Sequence, residues 1–274
     1  MQTSYQDGYF NVSAEHGFLP SQEPLRGVPM DTYPVLQEIM DHMPALKNKF
    51  GAPGLLGTDG AIERIVKLKL PNYINETKEE TEPARLAALY RAYTFLASAY
   101  LLSPAHHNQA SDGAYGRAHD TLPVNIAQPL CQVADALQLY PFLDYHYSYS
   151  LGNYVKRDPV KGLHWNNLDM ACSFTGGSDE IGFIMNHVYI NEVTPGLVGG
   201  VIGAVNAACK GNLDDVETHM KTVLETMVEA NTRRATMWKA SRYKRYNDFR
   251  TFIMGIQGNT TVFGDGVVYE GCDK

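Results

Sequence analysis

The chain has 274 residues, 44% of them hydrophobic and 19% charged, enough to bury a sizeable core and unlike disordered or fibrous proteins. That length accommodates one large domain or two, and two is the reading taken here. A formal net charge of -7 gives no general attraction to phosphate backbones or anionic lipid, which counts against nucleic-acid and membrane-surface partners.

Residues 1–34 are rich in turn formers, with HGFLP at 16–20, and read as an extended, packed lead segment. Helices are predicted over 34–42 and 59–70, the second with Ile62, Ile65, Val66 and Leu70 near helical spacing. The charged stretch 75–83 reads as a connector, and Pro83 sits where a helix can start, because its missing N–H would be unpaired in the first turn anyway. A strong helix is predicted over 84–102, with Leu86, Leu89, Tyr93 and Leu96 along one face. Pro, Gly and small polar residues over 103–120 predict a loop carrying an exposed pair, His106 and His107. Helical period returns over 124–139, an aromatic-rich stretch follows over 141–155, Asp158-Pro159 imposes a turn, and a short helix is predicted over 166–173. Thr175-Gly176-Gly177-Ser178 is a turn, with Ser178 placed to cap a helix that runs to about 194 and with Asp179 and Glu180 at the positive end of its dipole. In the next helix Gly196, Gly200 and Gly203 allow a neighbouring helix to approach closely. A long polar helix over 212–239, a shorter one over 248–257 and a turn-rich loop or hairpin complete the chain. The fold class is therefore all-α, with a small N-terminal helical domain over 1–173 and the first part of a larger helical domain over 174–274.

No GxGxxG, Walker loop, GxSxG elbow, HExxH or CxxC pair occurs, which removes the common dinucleotide, phosphate, hydrolase and zinc readings. Cys131, Cys172, Cys209 and Cys272 are spread singly, as in a reducing compartment. The first residues show neither a basic start nor an apolar run, so a cytoplasmic location is expected. The most apolar stretch, 195–209, falls short of the about 20 residues that cross a bilayer and reads as a buried helix.

Two residues look out of place. His187 shares a helix face with Phe183 and Ile190, which directs an imidazole into an apolar layer, either as a hydrogen-bonded core residue or as the lining of a pocket where it handles a proton. Arg250 is flanked by Phe249, Phe252, Ile253 and Met254. Its guanidinium cannot lose its charge, so it either lies exposed with its stem over apolar surface or needs a carboxylate partner or a ligand anion.

Five blocks carry a family resemblance: HGFLP at 16–20, LPxNIAxPLCxV at 122–133, GNYVKRDP at 152–159, NLDMACSFTGGSDEIGF at 167–183, and FRTFIMGIQGN followed by GVVYEG over 249–271. In order and approximate spacing they resemble the indoleamine 2,3-dioxygenase family over nearly the whole chain. The resemblance implies haem b held between helices of the large domain, with this chain supplying the roof of the pocket. It implies cleavage of the C2–C3 bond of the indole ring of tryptophan or a related indoleamine by O2, to an N-formylkynurenine-type product. On it, His187 is the candidate catalytic residue above the iron, where the family's animal members commonly have serine. Arg250 pairs with the substrate carboxylate through a planar, two-pronged hydrogen-bond donor. Phe183, Tyr246, His146, Tyr149 and Ser150 line the substrate pocket, and Arg245 stands where the family has an aromatic residue.

In the family the histidine that binds iron from below follows the GVVYEG block, so no metal ligand is assigned here and that histidine is expected beyond Lys274. His219, in a polar helix start, and His164, before Trp165, offer no substitute. The chain alone is expected to bind haem weakly or not at all, and to expose the apolar stripes that absent helices would cover. It is then a fragment of a longer protein or a chain completed by another polypeptide. Two further readings stay open: a related haem protein oxidising another aromatic compound, and a non-catalytic helical binding protein that has lost its iron ligand.

Overall fold

Helix α4 (Pro83–Asp112) is the axis around which the protein packs, in a computed structural model that describes residues 9–272. The first eight residues of the expected lead segment lie outside the described residues. Pro83 opens α4, and Leu86, Leu89, Tyr90, Tyr93, Phe95 and Leu96 are all buried, so the helix is covered on every side rather than along one face. It also runs past Pro104, which corrects the loop expected over 103–120. A proline inside a helix removes one hydrogen bond, but Leu101, Leu102, Ser103 and Ala105 are all buried around it, and their packing offsets the loss. The helix ends at Gly113, whose φ of 76° closes it in the left-handed conformation that glycine adopts without strain. His106 and His107 therefore stand on a helix, half-buried, rather than on an exposed loop.

Helices α1 (Pro34–His42), α2 (Ala61–Lys69) and α5 (Val124–Leu137) pack on α4, and α3 (Ile74–Glu79) packs on α5. α3 occupies the stretch expected to be a connector, anchored by the buried Thr77, whose hydroxyl donates to the Tyr73 carbonyl at 3.0 Å. α5 begins beside the end of α2, where the Asn125 amide donates to the carbonyls of Val66 and Leu70 at 3.1 and 2.9 Å. Those carbonyls belong to a helix end and have no partner within the helix.

Two small sheets replace expected features. β2 (Tyr154–Lys156) pairs antiparallel with β3 (Leu168–Met170), so the helix expected over 166–173 is a 3-10 turn (Trp165–Asn167) followed by a strand. Asn153 fixes this ladder: its amide donates to the Cys172 carbonyl and its oxygen accepts from the Cys172 N–H, both at 2.8 Å. β1 (Thr121–Leu122) pairs in parallel with β4 (Val268–Tyr269), which follows α11 (Thr260–Phe263). The chain end is thus tied to a segment far earlier in sequence and is not a hairpin.

α6 (Ser178–Asn191) and α7 (Thr194–Cys209) are separated only by a short break. Pro195 lacks the N–H that would bind the Asn191 carbonyl, and the Thr194 hydroxyl donates to that carbonyl instead, at 2.7 Å. Together they make a 32-residue stretch long and apolar enough to cross a membrane by length and composition, where 195–209 alone was judged too short. Only 28% of its most apolar part is buried, so the buried helix expected over 195–209 is corrected: Glu180, Asn186 and Val198 are buried, but Val201, Ile202 and Val205 face solvent.

α8 (Leu213–Arg234) packs along α7. The glycine reading is borne out: a Cβ on Gly200 would lie 2.7 Å from Val223 Cγ2, and one on Gly203 would lie 2.4 Å from the His219 ring. The polar helix expected over 212–239 is α8 followed by the short α9 (Met237–Ala240). The helix expected over 248–257 is α10 (Asn247–Arg250) plus a 3-10 turn (Thr251–Ile253). The other faces of α7 and α8 leave Val201, Ile202 and Val205, and Met220, Leu224, Met227 and Val228, exposed to solvent. The protein is otherwise helical as expected, all four cysteines are free, and one connected cluster of buried side chains runs from Tyr9 to Phe263.

Candidate functional site

The start of α6 is built by a buried carboxylate. Ser178 is exposed and makes no cap; Gly177 holds the cap position without a side-chain bond, which corrects the sequence reading. Glu180 instead reaches back to accept from the N–H groups of Phe174 and Thr175 at 2.9 and 2.6 Å and from the Thr175 hydroxyl at 2.6 Å. It also accepts from the Tyr149 hydroxyl at 3.2 Å. Burial pushes the Glu180 carboxyl above its ordinary range, against these bonds, which favour the ionised form. Asp179 faces outward and forms a two-pronged pair with Arg242, Oδ2 to Nη2 at 2.6 Å and Oδ1 to Nε at 3.0 Å. That pair holds the segment leading to α10 against α6.

With both helices placed, aromatic rings converge on one point. Phe183 meets His187 edge-on at 5.2 Å between ring centroids, Tyr246 at 5.3 Å and Phe249 at 5.8 Å. His187 is half-buried. Its Nδ1 lies 2.9 Å from the Phe183 carbonyl oxygen, which can only accept, so Nδ1 carries the proton in the neutral ring and Nε2 keeps its lone pair. Burial holds the imidazole below its ordinary pKa, with the Phe183 carbonyl working the other way, so the neutral form dominates near pH 7. The Tyr145 hydroxyl is 3.4 Å from Nε2 and is the donor there. Arg250 is half-buried, and its Nη1 is fully buried with no hydrogen-bond partner among the described residues. A guanidinium N–H in that condition is a vacant donor for an anion.

Phe183, His187, Tyr246 and Phe249 are thus brought together between α6 and α10, and Arg250 stands one turn after Tyr246, its backbone N–H donating to the Tyr246 carbonyl at 3.1 Å. Tyr149 and Ser150 are buried one layer behind. The Tyr149 ring packs on Tyr145, Phe95 and Phe174, while the Ser150 hydroxyl is buried without a partner. His146 is exposed and turns to the other side of its turn, where it lines a separate cavity. The residue that the resemblance did not single out is Tyr145, which faces His187. Residues Tyr145–Ser150 form a wide π-type turn, capped by Asp144, whose side chain accepts the Tyr147 N–H at 2.6 Å. An extra residue in a turn rotates the side chains around it, and here Tyr145 faces His187 while His146 turns away to the cavity.

The sequence pattern of the Indoleamine 2,3-dioxygenase family matches residues 6–274. The chain belongs to the indoleamine 2,3-dioxygenase family. It is 25% identical over 95% of its length to Indoleamine 2,3-dioxygenase nanC of Aspergillus nanangensis, covering 59% of that protein. It is 26% identical over 95% of its length to Indoleamine 2,3-dioxygenase acdA of Aspergillus candidus, covering 60% of it. To Indoleamine 2,3-dioxygenase 1 of Rattus norvegicus it is 28% identical over 74% of its length, covering 47% of that protein. The chain therefore spans about three fifths or less of these curated relatives. Haem is the cofactor that membership in the indoleamine 2,3-dioxygenase family implies. Among the described residues no group of three or more His, Cys, Asp or Glu could hold a metal ion. The histidines that the sequence reading passed over are engaged locally: His164 Nδ1 lies 2.7 Å from Asn166 Oδ1, and His219 fills the space beside Gly203. The residues present form an aromatic cluster around Phe183, and the described residues do not themselves supply a set of iron ligands.

Proposed function

We propose that this chain forms the substrate-recognition wall of an indole dioxygenase acting on tryptophan or a closely related amino acid. The observation that carries the proposal is the buried, unpartnered Nη1 of Arg250, a residue one turn after Tyr246 of the aromatic cluster of Phe183, Tyr246 and Phe249. A substrate carboxylate on Arg250 gives that donor a charged acceptor, and a charge-assisted bond of this kind contributes about 1.5–3 kcal/mol. The indole ring then lies against the rings of Phe183 and Tyr246, where edge-to-face contacts are favourable. Its N–H is taken by Nε2 of His187, displacing the long contact from Tyr145. In this arrangement the chain's own residues orient the substrate and exclude water, and haem b, when bound in the complete enzyme, supplies the activation of O2. A cytoplasmic location is part of the same reading, resting on the reduced, singly spaced cysteines.

The test compares L-tryptophan with tryptamine, which lacks the carboxylate, in the haem-loaded enzyme containing this chain. Arg250→Leu is expected to raise the Michaelis constant for tryptophan tenfold or more while leaving that for tryptamine within about twofold, since about 1.4 kcal/mol corresponds to a factor of ten. Equal effects on both compounds would remove Arg250 from the carboxylate site.

A further inference from the structure

Beside the Tyr145–Ser150 turn lies a cavity of about 640 Å³. That volume is within the range of small-molecule sites. Its wall takes Leu137 and Leu139 from the end of α5, Tyr147 and Leu151 from the turn, and Phe10 and Phe18 from the lead segment. The rings of Phe10 and Tyr147 lie 4.6 Å apart at a tilt of 38°, a continuous aromatic surface. Asp144 and His146 also line the cavity, and no Lys or Arg does among the described residues. Only one oxygen of Asp144 has a bond to the protein, to the Tyr147 N–H, and the carboxylate makes no ion pair among the described residues. At the rim Gln138 holds a φ of 57°, the only non-glycine in the left-handed region among the described residues, and this turns Leu139 into the wall. Gln138 is the left-handed cap that ends α5, its N–H donating to the Asp135 carbonyl at 3.1 Å.

We propose that this cavity is a second binding site, for an aromatic primary amine whose ring lies on Phe10 and Tyr147 and whose ammonium group pairs with Asp144. The carboxylate selects the charge: a cationic ligand gains a partner in a half-enclosed apolar setting, while an anionic one meets like charge. The site is chemically the opposite of the one at Arg250, which takes an anion. The two are neighbours, because Asn191 lines the cavity and, one turn after His187 on α6, donates to the His187 carbonyl at 2.8 Å. Occupancy would therefore bear on the elements that carry Tyr145 and His187, but binding itself does not depend on the dioxygenase reading.

The experiment is titration of the 274-residue protein with 2-phenylethylamine, followed by calorimetry and by NMR, with the neutral 3-phenylpropan-1-ol in parallel. Saturable binding of both is expected, tighter for the amine. Asp144→Asn keeps an acceptor for the Tyr147 N–H, because asparagine caps as well as aspartate. It should weaken the amine at least tenfold and leave the alcohol unchanged. Leu139→Trp, which fills the cavity, should abolish both, and Arg250→Leu should affect neither. No saturable binding, unchanged amine affinity in Asp144→Asn, or loss of binding in Arg250→Leu would each overturn the proposal.

Discussion

Tyr145 and His187 face each other across the site, hydroxyl to Nε2 at 3.4 Å and ring to ring at 5.6 Å, nearly perpendicular at 74°. Because the Phe183 carbonyl fixes the proton on Nδ1, this hydroxyl is the only group that covers the imidazole lone pair among the described contacts of His187. Tyr145→Phe should expose that lone pair, and the rate at which diethyl pyrocarbonate modifies His187 should rise severalfold. An unchanged rate would mean that Tyr145 does not shield the nitrogen.

Acid should destabilise the protein through a different histidine. His106 packs on Phe252 at 4.8 Å between centroids, and burial, with a smaller effect of His107, pushes its pKa from 6.5 down to about 4. The unfolded chain therefore binds a proton that the folded chain refuses. Stability contributed by neutral His106 is complete above about pH 6.5 and is lost as pH falls toward 4, an upper bound of about 3 kcal/mol at about 1.4 kcal/mol per unit. Urea unfolding at pH 7 and pH 5 measures the loss. His106→Phe keeps a ring against Phe252 and should flatten the dependence; the same slope in that variant assigns it elsewhere.

Glu180 should be costly to neutralise. In Glu180→Gln the amide nitrogen replaces one acceptor, so either the pair of donors from Thr175 or that from Phe174 and Tyr149 loses its bonds. Leaving buried donors unsatisfied costs about 2–3 kcal/mol, readable as a shift in the denaturation midpoint. A shift below about 0.5 kcal/mol would show that the turn before α6 does not rely on the carboxylate.

Gly182 and Gly199 make a paired test of helix packing. A Cβ on Gly182 would stand 1.9 Å from the Ala240 carbonyl oxygen, a backbone atom, whereas one on Gly199 meets only the Ala14 Cβ at 3.5 Å. Gly182→Ala should cost about 1–3 kcal/mol by forcing α9 off α6. Gly199→Ala should be neutral or gain up to about 1 kcal/mol, because alanine is the better helix former. Equal stabilities would refute the close approach at Gly182.

The uncovered face of α7 and α8 should promote association of the 274-residue protein. Replacing Leu224 and Val228 by lysine is expected to lower the sedimentation-average mass at a fixed concentration, with little change in thermal midpoint because both side chains are already exposed. A loss of several degrees would mean that these side chains are covered in solution.

Much was legible before any coordinates. The period of Leu86, Leu89, Tyr93 and Leu96 gave the central helix, Gly196, Gly200 and Gly203 gave the α7–α8 approach, and Phe183, His187 and Arg250 stood out as polar and aromatic groups in apolar runs. These features are local, and spacing along one helix reports them directly. Tertiary contact decided the rest. Pro104 stays helical because its surroundings are buried, β4 finds β1 through contacts distant in sequence, and Glu180 serves the preceding turn rather than the helix dipole alone. The meeting of Tyr145 with His187 has the same origin: a wide turn changes which side chain points that way, and packing selects such a turn without announcing it in the hydrophobic period.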